Sequence, residues 1–469
     1  MRKILIIYMV TLILFSACKN NPVTIDWVSS SFDTKWEVKQ IELETGGVNN
    51  SNAIKLFSNE KQQMIKGFGG CFNELGWEAL KILPEERKDQ IIKSLFDTIG
   101  GCKFNFCRMP LGANDYSVGW YSYDEVKDDF GMEHFSIARD KERLIPYIKK
   151  AQAYNPKIKI WASPWCPPSW MKTNFHYACN PDVVNDLSES GRGAEMETQF
   201  KMDGRYLSSY ALYFSKFVEA YRNEGINIYA VHVQNEPNSC QNFPSCVWNP
   251  SDLATFIGEY LGPEIRNRNL ETEVWLGTVE RHQIERIDTI LNRPGARKYI
   301  SGIGFQWDGK GAISKVHEKY PDLELMQTET ECGNGSNDWA AAEHTFGLMK
   351  YYFNNGANAY MYWNMILDES GKSRWGWKQN SMITVNSQTG QVVYNPEFYV
   401  MKHLSYFIKP GAYKIKTSDD SCLAFKNEDS VVLTVYNSGE EEERQFILND
   451  ISFTTVLPAK SLNTFKIKI

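Results

Sequence analysis

The stretch NIYAVHVQNEP, residues 227–237, starts as an apolar run and ends in an amide, a carboxylate and a proline. A near-continuous apolar run is typical of a strand that is covered on both faces of a parallel sheet. A carboxylate is costly to bury without a partner. Glu236 therefore lies either on an ordinary solvated loop or at a place where its chemistry is used. The stretch predicts a buried strand that presents Asn235 and Glu236 at its C-terminal end.

Seven further segments show the same pattern, an apolar run that ends in polar residues or glycine and is followed by a helix-like stretch. They are MIKGFGG (64–70), KFNFCRMPLG (103–112), KIKIWASPW (157–165), TEVWLGTVE (272–280), ISGIGFQWD (300–308), LELMQTET (323–330) and AYMYWNMIL (359–367). Eight strand–helix units predict an α/β fold, a (β/α)8 TIM barrel, over residues 64–398. An open doubly wound sheet is the rival fold, but no G-x-G-x-x-G follows the first strand.

The two ends of the chain differ in character from this middle part. Residues 421–469 alternate short runs rich in Val, Thr and Phe with turn signals, which indicates a meander of antiparallel strands. The N-terminal part carries similar pieces, such as KWEVKQIELET. We therefore expect residues 24–63 and 399–469 to form one β-sandwich domain beside the barrel.

The first 21 residues, MRKILIIYMVTLILFSACKNN, have the layout of a secretory signal. Two basic residues precede an apolar run that is too short for a lasting membrane span. The run meets Ser16, Ala17 and Cys18, which resembles a bacterial lipobox, although Phe15 replaces the usual Leu. This predicts a lipoprotein signal over residues 1–18, a lipid-modified Cys18 and a membrane-anchored protein in the bacterial cell envelope, on its periplasmic or outer face. An ordinary secretory signal is the alternative.

Overall composition bounds the classes of function. The chain has a net charge of −6 and no basic block, so binding to nucleic acid is not predicted. The seven His are scattered and no C-x-x-C pair occurs, so we predict neither a metal site nor a cofactor. Nine of the ten Cys remain when Cys18 is set aside, so they cannot all pair within the chain. Cys240 and Cys246 bracket a short loop and could form a disulfide outside the cytoplasm.

The chemistry of a (β/α)8 enzyme sits at the C-terminal ends of its strands. Here those ends offer carboxylates, amides, indole rings and one arginine, a set that suits a neutral polyhydroxylated ligand such as a sugar. The candidates are Glu74, Arg108, Asp115, Trp165, Asn235, Glu236, Glu280, Gln306, Trp307, Glu329, Glu331, Trp363 and Asn364.

Two carboxylates are enough to hydrolyse a glycosidic bond. Glu236 and Glu329 lie on the predicted fourth and seventh strands, which face each other across the mouth of a barrel. The two side chains could therefore flank one bond. The plainer reading makes each of them a solvated loop residue.

Five motifs, in this order along the chain, resemble glycoside hydrolase family 30, in clan A of the retaining (β/α)8 glycosidases. They are KGFGGCFNELG (66–76), RMPLGANDYS (108–117), WASPWCPPSWMKTN (161–174), NEP (235–237) and YWN (362–364). That family includes glucosylceramidases and bacterial β-1,6-glucanases. The resemblance also implies a side β-domain built from both chain ends.

The resemblance implies a role for each matching residue. Glu236 would be the general acid and base, Asn235 would hold the sugar 2-hydroxyl, and Glu329 would be the nucleophile. In such retaining enzymes the two carboxyl groups stand about 5–5.5 Å apart. Arg108 would keep Glu329 ionised, and it would also serve as a structural salt bridge.

Further family positions would shape the sugar site. Glu74 matches an acid that grips outer hydroxyls of the sugar, and Trp165 and Trp363 match stacking rings. Outside these family positions, the loop SRWGWKQN (373–380) adds Trp375 and Trp377 as candidate sugar platforms. The chain departs from the glucosylceramidases at residues 306–308, where Gln-Trp-Asp replaces His-Trp-Tyr, and at Glu280, where those enzymes have Gln.

The predicted seventh strand contains two acids in QTETEC (327–332), and Glu329 and Glu331 point the same way along a strand. Both follow a threonine, so that feature does not separate them. We prefer Glu329 because it lies deeper in the strand and at the family's usual distance before Cys-Gly.

These observations predict a retaining β-glycoside hydrolase that acts on β-linked glucosyl units of a β-glucan or β-glucoside, as a β-glucosidase, a β-1,6-glucanase or a glucosylceramidase-like enzyme. One alternative is a non-catalytic glycan-binding lipoprotein. Another is a sibling β-xylosidase or xylanase, against which Glu74 argues because a xylosyl unit has no 6-hydroxyl. The linkage and the choice between exo and endo action stay open.

Overall fold

The computed structural model describes residues 24–42 and 52–469. The predicted signal segment and Cys18 lie outside these residues. None of the helices in the described ranges combines the length and apolarity that crossing a membrane requires.

The strands of the described part are numbered along the chain. They are β1 (Thr24–Ser30), β2 (Glu37–Glu42), β3 (Ile54–Met64), β4 (Gly67–Cys71), β5 (Phe106–Pro110), β6 (Lys159–Ser163), β7 (Ile228–His232), β8 (Glu273–Val279), β9 (Ile300–Gln306), β10 (Glu324–Glu329), β11 (Ala359–Asn364), β12 (Ile366–Asp368), β13 (Ile383–Val385), β14 (Val392–Tyr394), β15 (Tyr413–Thr417), β16 (Cys422–Lys426), β17 (Ser430–Asn437), β18 (Glu442–Leu448), β19 (Ile451–Leu457) and β20 (Ser461–Lys468).

The helices are numbered in the same way. They are α1 (Glu74–Lys81), α2 (Glu85–Phe96), α3 (Leu144–Tyr154), α4 (Gly204–Asn223), α5 (Pro250–Thr255), α6 (Gly262–Asn267), α7 (Ile284–Leu291), α8 (Pro294–Arg297), α9 (Ile313–Lys319), α10 (Trp339–Asn354) and α11 (Pro396–Ser405). A π-helical turn over Phe256–Leu261 joins α5 to α6.

Strands β4 to β11 close into a parallel barrel in chain order. All eight predicted segments are barrel strands, which confirms the TIM barrel. The apolar runs have a physical reason, because β7, like β4, β5 and β11, carries almost only buried residues. Large side chains fill the barrel interior, among them Phe106, Trp161 and Trp275. The parallel direction brings the C-terminal ends of all eight strands to one mouth.

The helices cover the barrel with one apolar face each. In α2 the buried residues are Ile91, Ile92, Leu95 and Phe96, at helical spacing, while the acidic first turn faces solvent. In α4 the side chain of Asp203 accepts a hydrogen bond from the backbone N–H of Arg205 and so caps the N-terminus.

The second unit is a nine-stranded sheet, bonded in the order β19-β18-β3-β15-β16-β17-β20-β1-β2. Both chain ends contribute strands, as predicted. The sheet curls over its own face, since Phe446 of β18 packs on Phe465 of β20 with ring centroids 5.4 Å apart. The expected sandwich is therefore one folded sheet. The exact domain bounds drawn from the sequence stay a prediction.

Helix α11 joins the two units through His403. One ring nitrogen of this buried residue lies 2.9 Å from the hydroxyl of Ser30 in β1, and the other lies 2.8 Å from the hydroxyl of Thr464 in β20. Burial lowers the pKa of His403 to about 3, so the ring is neutral at physiological pH.

The suggested disulfide between Cys240 and Cys246 is not formed, and both thiols are free. The loop between them is closed in another way. The Ser245 hydroxyl lies 3.3 Å from both the backbone nitrogen and the backbone oxygen of Gln241.

Candidate active site

The carboxyl ends of the barrel strands surround a cavity of about 360 Å³, here called the mouth cavity. Two carboxylates predicted to work together, Glu236 and Glu329, both line it. The full lining comprises Asp115, Glu236, Ser239, Gln241, Asn242, Phe243, Glu280, Arg281, Trp307, Glu329, Trp377 and Gln379.

Glu329 is the last residue of β10 and is buried. One carboxylate oxygen accepts a hydrogen bond of 2.8 Å from Nη1 of Arg108, and the other accepts one of 3.2 Å from the indole nitrogen of Trp307. Burial raises the pKa of Glu329, and the guanidinium and the indole N–H act against that rise. The side chain is therefore held in one orientation beside a permanent positive charge.

Arg108 is fully buried beneath the mouth cavity. Besides Glu329, its guanidinium donates to Asn235 at 2.6 Å and to the Ser163 hydroxyl at 3.0 Å. Its Cζ lies 4.3 Å from the ring centroid of Trp165. The arrangement serves both suggested roles of this residue, because the same ion pair is a structural bridge and a counter-charge for Glu329.

Glu236 follows β7 with a left-handed backbone, φ +49°. Its two oxygens accept hydrogen bonds of 2.9 Å each, one from the amide of Gln306 and one from the amide of Gln241. Burial raises the pKa of Glu236, and these amides only partly oppose it. Because its hydrogen-bond partners are neutral, Glu236 holds a proton more readily than a carboxylate that is paired with an arginine.

Asn235 has its amide oxygen fully engaged. That oxygen accepts from Arg108 at 2.6 Å, from the Thr278 hydroxyl at 2.9 Å and from the Gln306 amide at 3.2 Å. These three donors fix the orientation of the amide. The nitrogen is consequently the group that Asn235 can offer to a ligand.

Gln306 and Trp307 are neighbours at the end of β9, and each holds one of the two acids. The Gln306 amide bonds Glu236, while the Trp307 indole bonds Glu329. A left-handed backbone at Trp307, φ +47°, turns its ring into the mouth cavity. Gln306 stands where the glucosylceramidases have His, and it still donates a hydrogen bond to Glu236.

Three predicted binding residues are buried outside the lining of the mouth cavity. The rings of Trp165 and Trp363 lie 5.5 Å apart, and both are buried. Asn364 donates to the Gln379 side chain at 3.0 Å and accepts from Asn73 at 2.9 Å. Asn364 thus contacts the cavity wall through Gln379, which lines it.

The position of Glu74 differs from the predicted sugar-binding one. It is the first residue of α1, is fully buried and does not line the mouth cavity. Arg139 donates to both of its oxygens, at 2.8 and 2.9 Å, and the backbone N–H of Val118 adds a third hydrogen bond. A carboxylate so saturated has little capacity left for a sugar hydroxyl.

Asp115 does line the cavity, and its Oδ1 atom is buried without a hydrogen-bond partner. Burial and the nearby charges of Glu329 and Glu236 raise the pKa of Asp115 well above its usual range. A buried polar atom that lacks a partner is costly. Asp115 is therefore better placed than Glu74 to receive a ligand hydroxyl.

The two candidate nucleophiles are separated by the fold. Strand β10 ends at Glu329, so the alternation that would align Glu331 with it does not continue. Glu331 lines a different cavity, with Cys332 and Asn334, and forms an ion pair of 2.6 Å with Lys310. Partial burial raises the pKa of Glu331, but the hydrogen bonds from Lys310 and Thr330 outweigh that effect and lower it.

Sequence reasoning missed Gln241 and Phe243, which belong to the loop between Cys240 and Cys246. Their closeness to Glu236 along the chain was the available signal. The ring of Trp377 lies 4.8 Å from Phe243, and both line the mouth. Trp375 is instead buried against Trp120 at 5.0 Å, so it offers no sugar platform.

Glu280 lines the cavity at the end of β8 and holds the segment after Glu236. It accepts hydrogen bonds from the backbone N–H of Asn238 at 2.8 Å and from the Ser239 hydroxyl at 2.9 Å. Burial, followed by the charge of Glu236, raises the pKa of Glu280 to about 7.

Comparison with known proteins places this geometry in a family. The Glycosyl hydrolase family 30 TIM-barrel domain matches residues 65–408. Putative glucosylceramidase 1 of Caenorhabditis elegans is 30% identical over 449 residues, which cover 88% of this chain and 83% of that protein. An endo-1,6-beta-D-glucanase of Neurospora crassa is 26% identical over 370 residues, covering 75% and 72%.

A solved structure shows the same architecture. The endo-beta1,6-glucanase BT3312 superposes with a TM-score of 0.80 at 24% identity, over 95% of this chain and 99% of that one. Together with a family match that spans most of the chain, the two facing carboxylates lead to one conclusion. The chain belongs to glycosyl hydrolase family 30 and is a β-glycoside hydrolase.

Proposed function

We propose that the protein hydrolyses β-linked glucosides with retention of configuration, with Glu329 as nucleophile and Glu236 as general acid and base. The observation that carries this proposal is the difference between their partners. Glu329 is paired with the guanidinium of Arg108, whereas neutral amides hold Glu236. This difference supports one ionised and one protonated carboxyl group, as the first step requires.

In the first step the ionised oxygen of Glu329 forms a bond to the anomeric carbon. The bond from that carbon to the leaving oxygen breaks, and Glu236 gives its proton to that oxygen. In the second step Glu236 takes a proton from water. The water oxygen bonds the anomeric carbon, and the bond to Glu329 breaks. Gln241 and Gln306 donate to Glu236 and so support its ionised form between the two steps.

The sugar in the cavity would be held by the groups that the fold leaves unengaged. The amide nitrogen of Asn235 suits the 2-hydroxyl, a contact that strengthens in the transition state. The unpartnered oxygen of Asp115 suits an outer hydroxyl, and Trp307 contributes an aromatic wall. A contact of Asp115 with the 6-hydroxyl would favour a glucosyl unit over a xylosyl unit, which lacks that group.

The lining of the mouth cavity favours a second sugar over a ceramide as the leaving group. Ser239, Gln241, Asn242 and Arg281 line the cavity with polar groups next to the rings of Phe243 and Trp377. Polar groups with one or two aromatic faces are suited to a glycan. The similarity to an endo-1,6-beta-D-glucanase supports a β-1,6-linked glucan as the substrate.

For location, we propose that Cys18 carries a lipid that anchors the enzyme in the bacterial cell envelope. The support is the order of basic residues, apolar run and Ser-Ala-Cys at the N-terminus. Mass spectrometry of the mature N-terminus tests this, and an unmodified or uncleaved Cys18 would overturn it.

The test of activity is a screen of β-1,3-, β-1,4- and β-1,6-linked gluco-oligosaccharides, with β-xylobiose and glucosylceramide as competitors. We expect the β-1,6 series to be cleaved fastest. Proton NMR during the first minutes should show the β-anomer as the first product. A first-formed α-anomer would overturn retention. Binding of the oligosaccharides without any cleavage would identify a glycan-binding protein instead.

A further inference from the structure

A second cavity lies at the opposite end of the barrel from the mouth, between the N-terminal ends of the strands and the side sheet. Its volume is about 790 Å³, and we call it the basal cavity. The barrel contributes residues at the start of β4, β5 and β6, and the sheet contributes Asp26 of β1 and Lys466 of β20. It therefore shares no residue with the catalytic site.

The basal cavity collects positive charge in a chain that is acidic overall. Six lysines line it against a single carboxylate, that of Asp26. The lysines are Lys66, Lys103, Lys157, Lys159, Lys409 and Lys466. The chain as a whole carries a net charge of −6, so this concentration is local.

Most of these charges lack a counter-charge. Lys66 is paired with Glu324, and Lys409 with Asp429. The other four lysines form no ion pair with any carboxylate of the residues that the structure describes. The basal cavity thus presents several ammonium groups that have no carboxylate partner within the described ranges.

Lys103 lies where these positive charges are crowded together. It is half-buried, and its ammonium lies 3.7 Å from the ring centroid of Tyr406. Burial lowers the pKa of Lys103, and the like charges of Lys466, Lys402 and Lys409 lower it further, while the charge of Asp97 acts in the opposite direction. Like charges held together in a partly buried place destabilise the fold unless an anion relieves them.

The walls between the lysines are apolar and aromatic. Tyr406, Phe407 and Ile408 line the cavity as consecutive residues, with Pro410 beside them. A ligand that fills the basal cavity would place its negatively charged group against the lysines and its apolar portion against this wall. Phosphate is the anion that matches several point-like ammonium groups at once.

We propose that the basal cavity binds a phosphate-bearing anion that has an apolar portion. The headgroup region of an anionic lipid and a soluble phosphate ester share this chemistry. The path of the chain favours the lipid. Asp26 lines the cavity, and Cys18 precedes Thr24 by six residues, which span at most about 20 Å when extended.

This preference for a lipid rests on the proposed anchor at Cys18, whereas phosphate binding itself does not. If Cys18 is lipidated, the basal cavity lies close to the membrane surface. Its lysines would then orient the barrel on an anionic bilayer, with the mouth directed away from it.

The test is isothermal titration calorimetry of the purified protein with pyrophosphate at two salt concentrations. We expect one site that weakens as salt rises. The double variant Lys103→Gln/Lys466→Gln should weaken binding at least tenfold. The control Lys127→Gln/Lys315→Gln removes the same charge at exposed positions elsewhere and should bind as the wild type does. The exposed single variant Lys157→Gln should show a smaller loss and guards against misfolding of the double variant.

Two further arms separate the sources of phosphate. Short-chain phosphatidylglycerol should compete with pyrophosphate, while phosphatidylcholine of equal chain length should not. Pyrophosphate binding without lipid competition would identify a soluble phosphate ester and refute the lipid. Equal pyrophosphate binding by wild type and double variant, or none at all, would overturn the proposal. Cleavage of an aryl β-glucoside should be unchanged in the double variant, so failure here is separable from failure of the proposed activity.

Discussion

At the scale of single residues, the two acids differ by what surrounds them. Both are buried, which raises the pKa of each. Of the two, only Glu329 accepts a hydrogen bond from a guanidinium, whereas side-chain amides donate to Glu236. Because Arg108 also holds Asn235, one buried cation sets the geometry of the proposed nucleophile, Glu329, and of the predicted 2-hydroxyl ligand together.

The choice of nucleophile gives a direct prediction. Glu329→Gln should lower kcat for an aryl β-glucoside by about 10³-fold or more, since the bond-forming group is lost. Azide should restore turnover of Glu329→Ala and yield the inverted glycosyl azide, identified by NMR. Glu331→Gln, whose side chain pairs with Lys310, is the matched control and should stay within about fivefold of wild type. The reverse pattern would make Glu331 the nucleophile.

Glu280 should tune the pH range of Glu236, the proposed general acid. Its pKa of about 7 means that it is ionised only above that pH, where its charge makes loss of the proton from Glu236 harder. Glu280→Gln should therefore move the alkaline limb of kcat/KM to lower pH, by roughly half a unit to one unit. The acid limb should stay in place, because Glu280 is already neutral there.

The measurement is a pH profile of kcat/KM with an activated aryl glucoside. Glu195→Gln, an exposed carboxylate paired with Arg281, is the control and should leave both limbs unmoved. A purely structural role of Glu280 would lower activity equally at every pH, and that result would refute the tuning.

The sequence predicts which site residues lie at the end of a strand. It does not predict contacts between residues that are distant along the chain. Glu236 and Glu329 follow apolar strands, so the sequence shows both their burial and their position. Glu74 also follows a strand, yet it begins α1 and meets Arg139, a partner that no local pattern reveals. The sequence places Glu280 at the end of a strand. Its hydrogen bond from the backbone N–H of Asn238 joins two loops that meet only in the folded protein, so no sequence pattern predicts it.

At the scale of secondary-structure elements, the strands were easier to predict than the helices and loops. Parallel strands that are buried on both faces leave a continuous apolar run, which is why all eight were found. Helices α5 and α6 are separated by a π-helical turn, Phe256–Leu261. There Gly258 packs against the backbone of Gly295, where a Cβ atom would stand 2.8 Å away. That contact is tertiary and leaves no local periodic signal.

Helix α10, which follows β10, has a side-chain cap at its N-terminus. The Asp338 carboxylate accepts a hydrogen bond of 3.0 Å from the backbone N–H of Ala341. Asp338→Ala should lower the free energy of unfolding by about 1 kcal/mol, measured by chemical denaturation. Asp338→Asn keeps a side-chain acceptor and should lose much less. Equal losses in the two variants would show that the cap is not the stabilising contact.

At the scale of the whole molecule, the buried His403 links the barrel to both ends of the chain. Its pKa is about 3 in the folded protein and near 6.5 when unfolded. The folded state therefore binds fewer protons between these values, and stability that is fully present above pH 6.5 is lost as pH falls toward 3. One such group contributes a slope of up to about 1.4 kcal/mol per pH unit.

Replacing this residue should flatten the acid response. His403→Gln can still contact Ser30 and Thr464, but it cannot take up a proton. Denaturation between pH 6 and 4 should give a shallower fall in unfolding free energy for this variant than for wild type. His344→Gln, at an exposed position of α10, should keep the wild-type slope. An unchanged slope in His403→Gln would mean that protonation of His403 does not cause the loss of stability at low pH.

The pairing of the two chain ends also sets a delay in biosynthesis. The indole of Trp27 donates to Asn463 at 3.1 Å across 436 positions of sequence. At about 5–20 residues per second, β1 waits roughly 20–90 s for β20 to be made. During that time β1 and β3 have unpaired edges that can join other chains. The yield of folded enzyme should therefore depend on what shields these two strands during synthesis, more than on the stability of the finished barrel.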